Sequence, residues 1–381
     1  MRLHVAAPLI ALGLLAGCGD GGPSEPAQPS LDGRQIFRFD TFGDETFWTD
    51  TLRMHEVIQQ AVDPATALAV GLKVDVDALP PGLLESADLH DPATTVALLK
   101  LNAVVGVQGK VETVNGRDTL TQVGITCALC HSSVDNSVQP GIGHRLDGWP
   151  NHELNPGAII ALSPALTAEQ KAVYNSWGPG RYDPRFNRDG INSPVPIPPA
   201  YGLAGTTLAT ATGDGDISYW NAYVAITQMH GHGTFVDPRI GADIHQTPDL
   251  VTPKLPALKA YQLSLPAPPP PAGSFDEAAA ARGQAVFDGP ARCATCHVPP
   301  SFTDDRLYDP SAVGADPGYA DRSATRKYRT TPLRALWEHA PYFHDGSAAT
   351  LSDVVAHYES VMGLQLTPEQ RQDLVEYLKS L

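Results

Sequence analysis

Apolar positions in this chain fall into short helical and alternating runs, broken at close intervals by proline and glycine. An aromatic cluster, Phe37, Phe39, Phe42, Phe47 and Trp48, opens the patterned region and leads into helical spacing through Leu52, Val57 and Ile58. Asp91-Pro92 offers an N-cap with proline at the first helical position, which predicts a helix through Val96, Leu98, Leu99 and Leu101. The period then shortens to two. Val105 to Val114 and Leu120 to Ile125 alternate about Asn115-Gly116, the dipeptide of a tight hairpin turn. Thr167 with Gln170 forms a capping box for a helix through Val173, Tyr174 and Trp177, and a further helix is expected over Tyr219 to Met229. Prolines 184, 194, 196, 198 and 199 remove backbone donors and restrict the residues before them, so regular structure is not expected between 180 and 205. Pro266 to Pro271, interrupted by Ala267, predicts a stiff polyproline spacer. Beyond it, Ser274 with Glu277 reads as a capping box for a helix through Ala280, Val286 and Phe287. Thr350 with Asp353 and Thr367 with Gln370 open the last two helices, the second burying Leu374, Leu378 and Leu381.

Composition sharpens this outline. A length of 381 residues at 42% hydrophobic content suffices for two domain cores, while 35 prolines and 34 glycines favour compact helical modules joined by loops. The net charge of −16 argues against nucleic acid or an anionic membrane surface as partner and leaves a basic redox protein open. Residues 1–18 read as an export signal, with Arg2 and His4 ahead of an apolar run, Val5 to Leu15, too short to span a bilayer. Leu15-Ala16-Gly17-Cys18 resembles a bacterial lipoprotein signal in which Cys18 is acylated; a plain secretory peptide is the alternative. Residues 19–30 then form a flexible tether. On this reading the protein sits on the periplasmic side of the envelope, lipid-anchored, at the outer membrane in preference to the inner.

The five cysteines divide into Cys18 and two identical C-x-x-C-H units, Cys127-Cys130-His131 and Cys293-Cys296-His297, leaving no pair for a structural disulfide. That spacing sets two thiols one helical turn apart for the vinyl groups of a porphyrin and points the next imidazole at its iron. Two such units predict two covalently bound haems c. A zinc site built from the four cysteines accounts for the thiols but gives no reason for both histidines. A thioredoxin-like redox pair lacks its βαβ setting. The expected fold is therefore mainly α: an N-terminal extension with a β-hairpin (31–123), a first haem domain (124–261), a Pro-rich linker (262–274) and a second cytochrome c domain (275–381). Met54, Met229, Met362 and a surplus of histidines are the candidates for the opposite face of each iron.

Two stretches carry a family likeness. Cys127-Ala128-Leu129-Cys130-His131 followed by Gly141-Ile142-Gly143-His144, and Thr331-Pro332-Leu333-Arg334 with Ala340-Pro341-Tyr342-Phe343-His344-Asp345-Gly346-Ser347, resemble the bacterial diheme cytochrome c peroxidases and their MauG-like relatives, over about 124–381. The resemblance implies that His144 caps the first iron at rest and moves for peroxide to bind. It also makes Trp220 in Tyr219-Trp220-Asn221 the relay between haems. Asn192, with backbone carbonyls near His339 and Pro341, is implied to hold a calcium ion. Tyr358 stands where the peroxidases carry a methionine ligand and MauG-like proteins a tyrosine, with Met362 one turn further as its rival. The family's pocket glutamate beyond the bridging tryptophan has no counterpart; Asp237 is the nearest carboxylate, and Gln228, His230 and His232 are candidates to hydrogen-bond a bound oxygen species.

These features imply an oxidoreductase that reduces hydrogen peroxide at the first haem, with electrons from a small redox protein entering through the second. Oxidation or oxygenation of an organic substrate, as in MauG-like enzymes, is the alternative; a diheme electron carrier without catalysis is the third reading.

Overall fold

The structure is a computed structural model that describes residues 31–381; Cys18 and the expected export signal and tether lie outside the described residues. The structure is about 41% helical, and among the described residues the strands form two-stranded sheets.

The helix starts coincide with the caps. Asp91 accepts from the Ala93 N–H at 2.9 Å and begins Pro92–Lys100. Reciprocal capping boxes open Ala168–Asn175 at Thr167 and Gln170, Leu351–Met362 at Thr350 and Asp353, and Pro368–Ser380 at Thr367 and Gln370. Asp216 caps Ile217–Thr227. One cap differs from expectation. The helix Glu277–Asp288 is capped by Asp276, whose carboxylate takes the N–H groups of Ala278 and Ala279, both at 2.9 Å, so Ser274 plays no part. A carboxylate beside the first turn satisfies two orphan donors and meets the positive end of the helix dipole, which a hydroxyl two residues earlier does not. The spacing through Leu52 also resolves differently: Thr46–Thr51 forms a π-turn, Arg53 adopts a left-handed conformation at φ 56°, and the α-helix begins at Met54.

Val107–Val114 and Arg117–Ile125 pair antiparallel, with Asn115 and Gly116 both at positive φ in the turn and a register shift between Lys110 and Val111. The ladder delivers the chain to Cys127. Residues 31–123 share their packing with the rest of the chain. Phe37 and Phe42 occupy one core with Ala128, Trp220, Tyr223 and Leu258. Trp48, Met54, Leu98, Leu99 and Leu120 occupy another with Leu129, Ile142, Leu154 and Ile197. The π-turn is tied in at Trp48, whose indole donates to the Met229 carbonyl at 3.1 Å, and at Thr49, whose hydroxyl donates to the Val123 carbonyl at 3.1 Å.

The C-terminal half is built on the crossing of Glu277–Asp288 with Pro368–Ser380, where Val286, Phe287, Leu374, Tyr377 and Leu378 are buried and Arg282 forks onto Asp373. Gly283 allows the approach, since a Cβ there would lie 2.0 Å from the Asp373 carbonyl oxygen. Between 265 and 276 the chain has no helix or strand. The halves are joined instead by side chains. Arg322 pairs with Asp183 at 2.9 Å and Asp189 at 2.7 Å, His152 meets Glu338, and Arg181 donates to the Asp345 carbonyl at 2.7 Å.

This packing sets two expectations for stability. Gly283→Ala should cost about 1–3 kcal/mol through overpacking of the helix crossing, seen as a lower denaturant midpoint of the haem-loaded protein; an unchanged midpoint would mean that the helices are free to part. Asp44 is wholly buried, its carboxyl facing the Ile125 N–H, and burial pushes its pKa from 3.8 up to about 9. The folded state thus keeps a proton that the unfolded chain loses near 3.8, so stability is greatest below that value and falls as pH rises towards about 9. Asp44→Asn should match the wild type near pH 4 and exceed it near pH 8; denaturant curves whose difference does not grow with pH would refute a protonated Asp44.

Candidate haem site

Each C-x-x-C-H unit closes one turn of chain. The His131 N–H donates to the Cys127 carbonyl at 3.2 Å and the His297 N–H to the Cys293 carbonyl at 2.9 Å, which sets each imidazole on the side of its two thiols. The first unit is α-helical over Ala128–His131 and the second a 3-10 turn over Cys293–Thr295. Gly106, at φ 78°, passes so close beneath the first turn that a Cβ would lie 2.1 Å from the Leu129 Cα.

Both imidazoles are oriented the same way. His131 Nδ1 lies 3.0 Å from the Pro198 carbonyl and His297 Nδ1 3.0 Å from the Phe302 carbonyl. A carbonyl only accepts, so each Nδ1 carries the proton and each Nε2 keeps its lone pair, the tautomer of a metal ligand. Burial pushes the Cys127 and Cys130 thiols up to about 12 and Cys293 to about 11. Such thiols are poor redox nucleophiles. All four are free cysteines, and among the described residues no group of three or more His, Cys, Asp or Glu side chains is arranged to hold a metal ion.

One cavity of about 620 Å³ is lined by both units, with Trp220 also on its wall. Its wall is mostly apolar, and residues 48–107 supply much of it, including Trp48, Met54, Ile58, Leu98 and Leu99. Among the described residues no aspartate or glutamate lines it, whereas Lys73, Arg292, Arg329 and Arg334 do. Thr95, Tyr201, Thr210, Trp220, Arg329 and His339 each place a buried polar atom without a protein partner on this wall. Apolar walls, cations, unpartnered donors and paired thiols suit a flat apolar group that bears carboxylates. Haem c fits that description at both motifs.

The residues expected around the irons divide sharply. Trp220 is buried, with the Arg185 guanidinium 5.5 Å from its ring centroid. Gln228 is on the wall, accepting from the Tyr182 hydroxyl at 3.0 Å and donating to Thr227 Oγ1 at 2.8 Å. Tyr358 and Met362 both face the cavity from the helix Leu351–Met362, and burial pushes the Tyr358 phenol up to about 12.

His144 is placed elsewhere: it is exposed, off the wall, with Nδ1 2.9 Å from the Asp77 carboxylate, because the Ile142–Gly143 strand pairs with Val74–Asp75 and turns it towards that acid. His230 is off the wall too, stacked on Phe47 at 3.6 Å, and His232 has Nδ1 2.6 Å from the Pro248 carbonyl. Asp237 is a structural acid. Burial alone would raise its pKa, but Arg239 and the Tyr219 hydroxyl at 2.7 Å hold it below the usual carboxylate value. Asn192 is off the wall as well, its carbonyl oxygen accepting from the Trp177 indole at 2.7 Å and its amide donating to Ser176. His339 and Pro341 do line the cavity, and burial lowers the His339 imidazole to about 4. Sequence reasoning passed over Tyr182 and Arg329. Nothing in the local pattern marks the first, while the second stands two residues before the Thr331-Pro332-Leu333-Arg334 stretch.

Known proteins share parts of this arrangement. Residues 280–381 match the cytochrome c family. Methylamine utilization protein MauG of Methylorubrum extorquens is 34% identical over 120 residues, covering 27% of this chain and 34% of that protein. Cytochrome-c peroxidase IdrP1 of Denitromonas iodatirespirans is 30% identical over 151 residues, covering 27% of this chain and 40% of the relative. The chain thus spans about two fifths or less of the length of these curated relatives. Among solved structures, hydrazine synthase of Kuenenia stuttgartiensis matches with a TM-score of 0.35 and 22% identity over 51% of this chain and 74% of that one. A MauG-like protein associated with microbial copper homeostasis matches with a TM-score of 0.27 and 21% identity, over 35% and 55%. Residues 280–381 thus carry a cytochrome c domain, and 27% of the chain is similar both to a MauG and to a cytochrome c peroxidase.

Proposed function

We propose that the protein carries two haems c and acts as an oxidoreductase in which hydrogen peroxide reacts in the first pocket, beside Cys127, Cys130 and His131, while electrons pass between the pockets by way of Trp220. The observation that carries this reading is the cavity lined by both C-x-x-C-H units and Trp220, to which the described residues bring four cations and no carboxylate. Haem c bound there supplies a redox-active iron ligated by the adjoining imidazole and fixed by two thioether bonds.

The chain's own residues do the rest. The Pro198 and Phe302 carbonyls hold the protons on His131 and His297 Nδ1, which keeps each Nε2 available. Trp48, Met54, Leu98 and Leu99 exclude water from the first pocket. Gln228, fixed by Tyr182 and Thr227, keeps one amide N–H uncommitted to any protein acceptor and so serves as a donor to a bound oxygen atom. Tyr182, whose pKa burial raises well above 10, is a donor and never an anion here. In the second pocket Tyr358 would be the favoured residue to hold the iron opposite the histidine, with Met362 its rival.

One observation favours oxidation of an organic substrate over simple peroxide reduction. General acid assistance to O–O cleavage is worth about 10²–10⁴-fold, and among the described residues the wall offers amides, phenols and imidazoles but no carboxylic acid for it. Turnover of peroxide with a small reduced cytochrome is therefore expected to be slow. The likeness to a cytochrome c peroxidase keeps that activity as the other reading. We place the protein on the periplasmic side of the envelope, anchored through acylated Cys18, with a small redox protein as its partner. Among the described residues no helix is long and apolar enough to cross a membrane.

The pyridine haemochrome assay should return two haems per chain, and peroxide should change the Soret spectrum of the haem-loaded protein within a stopped-flow trace. Absence of any reaction with peroxide, cyanide or carbon monoxide in either oxidation state would leave an electron carrier and sink the proposal. Tyr358→Phe should alter the resting spectrum of one haem while Met362→Leu leaves it unchanged; the reverse result assigns the ligand to Met362.

A further inference from the structure

We infer that Arg329 is the internal counter-cation of a haem carboxylate where the two pockets meet, and that its charge sets the reduction potential of that haem. The inference rests on the reading that the cavity holds haem c.

The other three cations on the wall have partners or solvent. Lys73 pairs with Glu153. Arg292 is exposed and donates to the Met362 carbonyl at 3.1 Å. Arg334 donates to the carbonyls of Gly202 and Ala204. Arg329 has no anionic partner and is only partly exposed. It lies on the short strand Tyr328–Arg329, with its backbone N–H on the Ala211 carbonyl at 2.8 Å, so a strand of the second half carries it against a loop of the first. Its guanidinium makes one hydrogen bond, from Nη1 to the Leu208 carbonyl, and its Nε is buried without a partner. Among the described residues no carboxylate lies within ion-pair range of it. Asp305 is near enough to be felt, but its carboxylate is taken by the Thr207 N–H and hydroxyl and the Leu208 N–H. Burial accordingly pulls the guanidinium down to about 10.

An arginine remains protonated at physiological pH even so. A fold keeps a buried cation only where an anion offsets the lost hydration. The cavity that Arg329 lines is the one shared by both C-x-x-C-H units, and the group they attach carries carboxylates, whose geometry matches the guanidinium fork. Thr210 Oγ1 and Trp220 Nε1, buried on the same wall without partners, are further donors for such a group. Reduction adds negative charge to a haem, so a fixed cation beside it favours the reduced form, and the low dielectric of the interior strengthens that effect.

Spectroelectrochemical titration of the haem-loaded protein tests the assignment. Arg329→Gln, shown to hold two haems per chain, is expected to lower the reduction equilibrium constant of one haem about tenfold, a fall of about 59 mV for one electron. Arg329→Lys is expected to keep the wild-type potential near neutral pH and to lose it reversibly at alkaline pH, because a buried ammonium gives up its proton before a guanidinium does. A residue that only braces the Leu208 carbonyl would produce neither effect. Unchanged potentials in the Gln variant overturn the inference. If that variant fails to load haem, a Lys variant that tracks the wild type from about pH 6 to about pH 10 overturns it instead. Fewer than two haems in the wild type itself would count against the proposed function and not against Arg329.

Discussion

Two hydrogen bonds organise this molecule: His131 Nδ1 to the Pro198 carbonyl and His297 Nδ1 to the Phe302 carbonyl. Each settles which ring nitrogen carries the proton and therefore which is free for iron. Much of the surrounding chain brings those carbonyls into place. Pro198 belongs to the proline-dense stretch after Pro194, whose missing N–H groups and restricted torsions keep it extended against the first unit. Phe302 lies five residues past its own histidine at φ 53°, so the second unit turns back on itself while the first needs a distant segment.

The N-terminal residues acquire a role from the same constraint. They contribute the apolar wall of the first pocket and share two buried cores with it. The π-turn at Thr46–Thr51 sits where this wall meets the helix Ile217–Thr227, tied to Met229 by the Trp48 indole. The pocket is thus assembled from stretches far apart in sequence, and its polarity is decided by what the described residues omit as well as by what they bring: cations, amides and imidazoles, but no carboxylate.

How much of this the sequence revealed depends on how local the physics is. Capping is local, so Asp91, Thr167, Thr350 and Thr367 announced their helices, and the C-x-x-C-H spacing, dictated by a porphyrin, announced its own turn. Ser274 misled because Asp276 competes for the same donors and wins on charge. The pocket residues were less legible. His144, His230, His232 and Asp237 are each claimed by a partner outside the cavity, Asp77, Phe47, Pro248 and Arg239 respectively, and nothing within a few residues of any histidine records that claim. Asn192 is engaged in the same way by the indole of Trp177. Trp220 and Gln228 both reach the cavity wall from one helix and its C-cap, where spacing along the sequence carries over into space.

The ties between the halves bear on what the proline-rich connection does. Arg322 with Asp183 and Asp189, His152 with Glu338, and Arg181 with the Asp345 carbonyl all cross from one half to the other without using residues 265–276. The peptide bond there is then a topological convenience, as in a receptor whose clipped chains stay mated. A protease nick within that stretch would leave a two-chain species that still migrates as one particle under native conditions and comes apart only in denaturant.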